Sequence, residues 1–503
     1  MSYPNLLDRG NVNGNAYGHT YRELYIGGGA KAHLGDNKFH FGPFNAPTTF
    51  SFPSGKSKEV LRVQEGAHDS PAKDRPETPP RPSAAIPFSR DKDFVKRSII
   101  LNQIHEQCAM PGSRTALVGL GGVGKSQLAI EFAYRTRERS SETWVFWVHA
   151  GNASRFEQGY REIADRVKIS GRQNPEANIF KLVYDWLCDS KGQWLLILDN
   201  VDDACFLLDA PVYDQRQPTD SATASKPLRE YLPHCQSGSI LITTRNKDAA
   251  LKLVEGCDII SVGPMDEEDA LALFEKKLGV HHVSSGIAEL AAALEHLPLA
   301  IVQAAAYISK RAPRCSVVDY LAKFKESDYK RTSLLNRNEG HLRRDWEAKN
   351  SIIITWKISF DYIHKTRPSA ANLLSLMSFF DGQGIPENLL RNRTEHGKAQ
   401  GNHKGQEDNE LISHEEDTLS QSSAGDDEFE DNVLALRNFS FISVNVDGKT
   451  FRMHALVQVA MRKWLEEYGE LDRWKQQFVK NLYAEFPTGE YENWASIRGG
   501  KGA

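Results

Sequence analysis

At 503 residues the chain is too long for one hydrophobic core, so about three or four compact units are expected. A hydrophobic content of 40% with 25% charged residues fits a soluble globular protein, and a formal net charge of −4 shows none of the strongly basic character of a nucleic-acid binder. Apolar runs such as Trp194–Leu198 fall well short of the ~20 residues a membrane span needs. The start, Met1-Ser2-Tyr3-Pro4-Asn5, lacks the basic and apolar blocks of a secretory signal. Cys108, Cys188, Cys205, Cys235, Cys257 and Cys315 form no C-x-x-C pair. They point to reduced thiols in the cytoplasm, not to a disulfide frame or a zinc site.

Residues 1–63 are rich in Gly, Asn and aromatics without a sustained helical period, and read as a disordered N-terminal region. Residues 64–90 are Pro-rich, with Arg75-Pro76-Glu77-Thr78-Pro79-Pro80-Arg81-Pro82, and predict an extended linker. From Asp91 short apolar strands alternate with helical stretches: strands at Thr115–Val118, Trp144–Val148, Trp194–Leu198, Ser239–Thr243 and Ile259–Val262. That alternation predicts, over residues 91–262, an α/β domain with a parallel sheet and helices on both faces. Residues 263–325 turn wholly helical and predict a small helical domain. In residues 326–465, two helices within Ser351–Phe380 and a hairpin around Asp447-Gly448 predict a winged-helix domain. The acidic stretch 393–432 reads as a disordered insertion in it. Residues 466–503 predict a C-terminal helix and a lead-in to a further array.

Gly119-Leu120-Gly121-Gly122-Val123-Gly124-Lys125-Ser126 satisfies G-x-x-x-x-G-K-[ST] between an apolar strand and a helix start. Glycines at 119, 121, 122 and 124 let the backbone N–H groups converge on phosphate oxygens, and the helix beginning near Lys125 adds its positive end. Lys125 would neutralise phosphate charge, and the Ser126 hydroxyl would ligate Mg²⁺. Asp199, closing the strand Trp194–Leu198, stands where a second Mg²⁺ ligand is needed. Asn246-Lys247-Asp248-Ala249 lacks the final Asp of a guanine-reading motif, so ATP or ADP is favoured.

With these residues in place, the chain resembles, over residues 88–490, the NB-ARC family of STAND-class signal-transducing ATPases, of the NOD-like receptor type and most like its fungal branch. Phe94-Val95-Lys96-Arg97 is similar to the family's entry motif at adenine, and Phe146-Trp147-Val148 to its second strand. Thr243-Thr244-Arg245 is similar to the sensor strand, whose arginine reads the γ-phosphate. His296-Leu297-Pro298-Leu299-Ala300 resembles the Gly-Leu-Pro-Leu motif, with the proline on adenine and His296 in the glycine's place. Met453-His454-Ala455 resembles the Met-His-Asp motif, whose histidine touches the β-phosphate of ADP. The resemblance thus implies catalytic roles for Lys125, Asp199 and Arg245. It implies nucleotide contacts from Phe94, Val95, Arg97, Gly119, Gly121, Gly122, Val123, Gly124, Lys125, Ser126, Gln127, Arg245, Pro298 and His454. It also implies a closed ADP state, an ATP state that forms homo-oligomers, and a role in innate immunity, non-self recognition or programmed cell death.

Two residues depart from the pattern. Asn200 replaces an acidic residue, and an amide is no general base, so at most slow hydrolysis is expected. Ala455 removes the carboxylate that helps lock the resting state. Family members continue into a repeat sensor, which is expected to be lacking here. The Gly/Asn-rich stretch Tyr25–Asn37 loosely resembles amyloid-type signalling motifs, so residues 1–63 are the candidate contact to a downstream effector. Two alternatives stand beside the switch: an ATP hydrolase working by turnover, and an ATP-responsive transcription regulator using the winged helix.

Overall fold

A computed structural model describes residues 80–209, 226–279, 286–337, 351–391 and 415–485, together with two strands nearer the N-terminus. The chain divides into two units, Met1–Arg75 and Pro76–Ala503. In the first, β1 (Glu23–Ile26) pairs antiparallel with β2 (Ala30–His33), Glu23 opposite His33 and Ile26 opposite Ala30. The expected disordered region therefore holds a hairpin within and beside the Gly/Asn-rich motif. Its first strand uses Leu24, Tyr25 and Ile26, residue types with a preference for strands. The remainder of 1–63 lies outside the described residues.

The second unit begins with β3 (Ala84–Ala85), inside the stretch read as linker. This correction has a simple cause. Ala84 and Ala85 pair in parallel with Val145 and Phe146, and Phe88 packs edge-on against Trp147 at 5.5 Å. The proline signal is local and carries no information about such a partner. Then follow α1 (Ser98–Cys108), β4 (Arg114–Val118), α2 (Lys125–Arg139), β5 (Trp144–His149), α3 (Ala153–Val167), α4 (Ile179–Asp189) and β6 (Trp194–Asp199). The short α5 (Cys205–Leu208), β7 (Gly238–Thr244), α6 (Lys247–Leu251) and β8 (Ile259–Ser261) complete the layer. The six strands run parallel in the order β3-β5-β6-β7-β4-β8.

Continuous apolar strands are what a sheet buried on both faces requires. Successive side chains feed opposite cores: Leu117, Val145, Trp147, Leu195 and Ile197 on one side, Ala116, Phe146, Val148, Leu196 and Leu198 on the other. The adjacent strands β6, β7 and β4 deliver Asp199, Arg245 and the phosphate loop to one carboxyl edge, where open α/β sheets gather ligands.

A helical block follows: α7 (Glu267–Leu278), α8 (Ile287–Ala293), α9 (Pro298–Arg311), α10 (Val317–Glu326) and α11 (Asp328–Leu335). Pro298 at the first position of α9 costs no hydrogen bond, because that N–H has no helical partner in any case. The last block is α12 (Ile352–Thr366), α13 (Pro368–Met377), β9 (Gln383–Pro386), α14 (Glu415–Asn438), β10 (Ile442–Val444), β11 (Thr450–Met453), α15 (Ala455–Glu467) and α16 (Leu471–Glu485). The expected hairpin is β10–β11, and β9, which the sequence did not announce, completes an antiparallel sheet in the order β10-β11-β9.

The disordered insertion 393–432 also needs correction, since its last part belongs to α14. Phe429, Val433 and Leu436 recur at helical spacing and are buried in the main core, which anchors the acidic turns before them. Residues 392–414 lie outside the described residues.

Candidate nucleotide-binding site

The phosphate loop is bent as its glycines require. Gly122 and Gly124 sit at φ of 94° and 96°, conformations that strain any residue with a Cβ. Gly121 is needed for closeness instead: a Cβ there would lie 2.7 Å from Thr355 Cγ2 and 3.3 Å from Trp356 Cδ1. Val123 is fully buried, and Gln127 lies in the first turn of α2.

Lys125 is buried, and its ammonium donates to the carbonyls of Gly119 (2.7 Å) and Leu120 (3.1 Å). Desolvation, helped by the nearby Arg245 cation, brings its pKa down to about 7. A polyphosphate would reverse that balance by supplying the missing opposite charge. Opposite it, Ser126 Oγ donates to Asp199 Oδ1 at 2.7 Å, and Thr243 Oγ1 donates to the same oxygen at 2.6 Å. Burial raises the Asp199 pKa, and the two hydroxyl donors counter it. A buried carboxylate beside a serine hydroxyl is a hard oxygen pair that suits Mg²⁺, which keeps most of its shell as water and phosphate oxygen.

Arg245 is already engaged. Its backbone N–H donates to Asp202 Oδ1 (2.7 Å), its Nε lies 3.3 Å from Asp202 Oδ2, and its guanidinium donates to the Thr355 carbonyl of α12 at 2.7 Å. Arg97 also acts as a tie, donating to the carbonyls of Val123 (3.1 Å), Gly263 (3.0 Å) and Pro264 (2.9 Å). Val95 is a core residue, and Phe94 is partly buried against that core, with its carbonyl accepting from Lys276. Asn246-Lys247 serves as a helix start, with the Asn246 side chain capping α6.

Of the distant motif residues, Pro298 comes to the loop and His454 comes to Trp356. Pro298 Cγ lies 4.0 Å from where a Cβ on Gly124 would stand, and Leu299 N–H donates to the Gly122 carbonyl at 3.1 Å. His296, in the glycine's place, adopts φ 54°, and Glu295 before it adopts φ 50°. The residue therefore differs from glycine while the left-handed backbone is present. His454 precedes α15, and its ring is 6.4 Å from that of Trp356. Burial pushes its pKa down to about 3, so the imidazole is neutral. Both its ring nitrogens are buried without a hydrogen-bond partner among the described residues, and a ring N–H left so fits a phosphate oxygen as acceptor.

Trp356 is the residue that sequence reasoning missed. It is fully buried, and its indole N–H donates to the Gly121 carbonyl at 2.9 Å. An aromatic on an apolar helix face reads as ordinary core, and no local pattern ties it to a loop 235 positions away.

Residues 113–279 match the NACHT domain model, where the motif order suggests NB-ARC, and residues 362–469 match a domain of unknown function, DUF7779. The chain is 32% identical over 424 residues to a "Nucleotide-binding leucine-rich repeat (NLR)-like protein" of Hyaloscypha variabilis, covering 81% of this chain and 39% of that protein. It thus spans well under half the length of that relative. Among solved structures, it is similar to a Walker-type ATPase of Pyrococcus abyssi (12% identity, 75% of this chain and 99% of that one, TM-score 0.46). A STAND protein with a tetratricopeptide repeat sensor from Pyrococcus horikoshii is also similar (14%, 80% and 47%, TM-score 0.30). No helix among the described residues is long and apolar enough to cross a membrane. With its phosphate loop, parallel sheet and helical C-terminal region, the chain has a P-loop NTPase-like α/β fold, is similar over residues 113–279 to the NACHT domain, and resembles a fungal NLR-like protein over most of its length.

Proposed function

We propose that the chain is an ATP/ADP-binding signalling switch of the NB-ARC and NACHT kind, acting in the cytoplasm, with its C-terminal block serving as a winged-helix lid. The observation that carries this reading is α12 lying on the phosphate loop, with Trp356 bonded to Gly121 and Thr355 bonded to Arg245. A ligand gripped by that loop cannot be indifferent to where α12 sits. Lys125 and the loop amides would hold the phosphates, Ser126 and Asp199 would hold Mg²⁺, and Pro298 and His454 would close over ADP. Bound Mg²⁺ would supply charge neutralisation between phosphates. Arg245 can turn to a γ-phosphate only by loosening its hold on Thr355, so ATP would favour release of α12 through differential contacts. The released form would assemble with copies of itself and present residues 1–63 to an effector, in immunity, non-self recognition or programmed death.

Hydrolysis would be slow. Asn200 is no base, Asp202 is committed to Arg245, and Asp203 accepts from the Cys205 N–H at the start of α5. The test is to denature purified protein and identify what it releases. Stoichiometric ADP, absent from Lys125→Ala, supports the switch; protein that carries and binds no adenine nucleotide contradicts it.

A further inference from the structure

The first amides of a helix need acceptors, and the residue before α15 supplies none: His454 makes no side-chain cap. The acceptor comes from another block of the chain. Glu295, on the turn between α8 and α9, receives the N–H of Ala455 on Oε1 (3.1 Å) and that of Leu456 on Oε2 (3.3 Å). The same carboxylate abuts His454 Nδ1. Glu295 does this from a left-handed backbone, φ 50°, and it is followed by a second left-handed residue, His296 at φ 54°. Such conformations cost non-glycine residues and persist where surrounding contacts hold them.

We propose that Glu295 is the latch of the closed arrangement in this chain. It supplies from the helical block the negative charge that position 455, an alanine, does not provide. Two features converge on it: two charge-assisted bonds to the positive end of α15, and a span of 160 positions joining the α8–α9 turn to the C-terminal block. The carboxylate lies against Nδ1 of His454 without a hydrogen bond to it. Glu295 acts through the start of α15, so it is a positioning residue. The proposal rests on the switch reading for its consequence, but the contact can be tested without nucleotide.

The experiment is a cycle on the full-length chain: wild type, Glu295→Ala, Ala455→Asp and the double variant. Amide exchange is read at Ala455, Leu456 and α12, and release of N-methylanthraniloyl-ADP is read in parallel. Glu295→Ala is expected to raise exchange at both amides and also along α12, which Glu295 does not touch, and to speed release roughly tenfold. Ala455→Asp should gain nothing beside Glu295, because like charges would crowd one helix end, yet should restore protection in the Glu295→Ala background. Unchanged exchange in Glu295→Ala, or an equal effect of Ala455→Asp in both backgrounds, would overturn the latch. Protein that binds no nucleotide but shows the expected exchange cycle would sink the switch reading alone.

Discussion

The sheet domain and the C-terminal block meet at the phosphate loop by different means. Within the sheet domain, Ser126, Asp199 and Thr243 form a buried network on neighbouring strands and the helix after the loop, backed by apolar cores on both faces. The C-terminal block adds polar ties over long range, Trp356 to Gly121 and Thr355 to Arg245, and the helical block ties to it through Glu295 at the start of α15. The first kind of assembly is rigid because removing any member strands a buried polar group, which costs about 1–3 kcal/mol. The second adds specific polar ties to an apolar core that the two blocks share, with Leu120 and Val123 in the same buried cluster as Ile352 and Trp356.

The largest effect on nucleotide binding that would sharpen this contrast is at Lys125. Lys125→Ala is expected to weaken ADP binding at least about a hundredfold, since it strands polyphosphate charge in a dry site. The nucleotide-free protein should melt no lower than wild type, because a buried, desolvated ammonium is lost with it. Calorimetric titration and thermal unfolding read the two halves, and a large fall in melting temperature would break the distinction. Trp356→Ala should cost about 3–5 kcal/mol in denaturant unfolding and speed ADP release. Trp356→Phe keeps most of the volume but loses the bond to Gly121, and should cost about 1 kcal/mol.

The pH dependence of binding tests the sheet domain alone. Free Lys125 has a pKa near 7, and phosphate raises it, so binding takes up a proton above neutrality. Affinity for ADP should therefore be full below about pH 7 and fall as pH rises, by up to about tenfold per unit. Lys125→Arg should flatten that slope. The smallest expected effect is a control far from the lid. Asn152 caps α3 by accepting the Arg155 N–H, and Asn152→Ala should cost about 1 kcal/mol of stability with ADP release unchanged.

What could be read from the sequence divides along the same line. The phosphate loop, Asp199 and the parallel strands were legible because their chemistry depends on short, contiguous patterns. Pro298 and His454 were legible only through motif order, and the structure brings Pro298 to Gly124 and His454 to Trp356. Trp356 and Glu295 were not legible: each takes its role from a partner more than a hundred positions away, and each has an ordinary local reading as core aromatic or surface acid. The strand at Ala84–Ala85 and the helix from Glu415 were misread for a related reason. Proline density and acidity report on isolated segments, and tertiary pairing with β5 and burial of Phe429 overrode both.

Hydrogen exchange along Ile352–Thr366 under ADP and under a non-hydrolysable ATP analogue tests most directly whether the loop's ligand governs the lid. ADP should protect this helix, and the analogue should expose it while the strands carrying Asp199 and Thr243 stay protected. Equal protection of Ile352–Thr366 with either nucleotide would contradict the account.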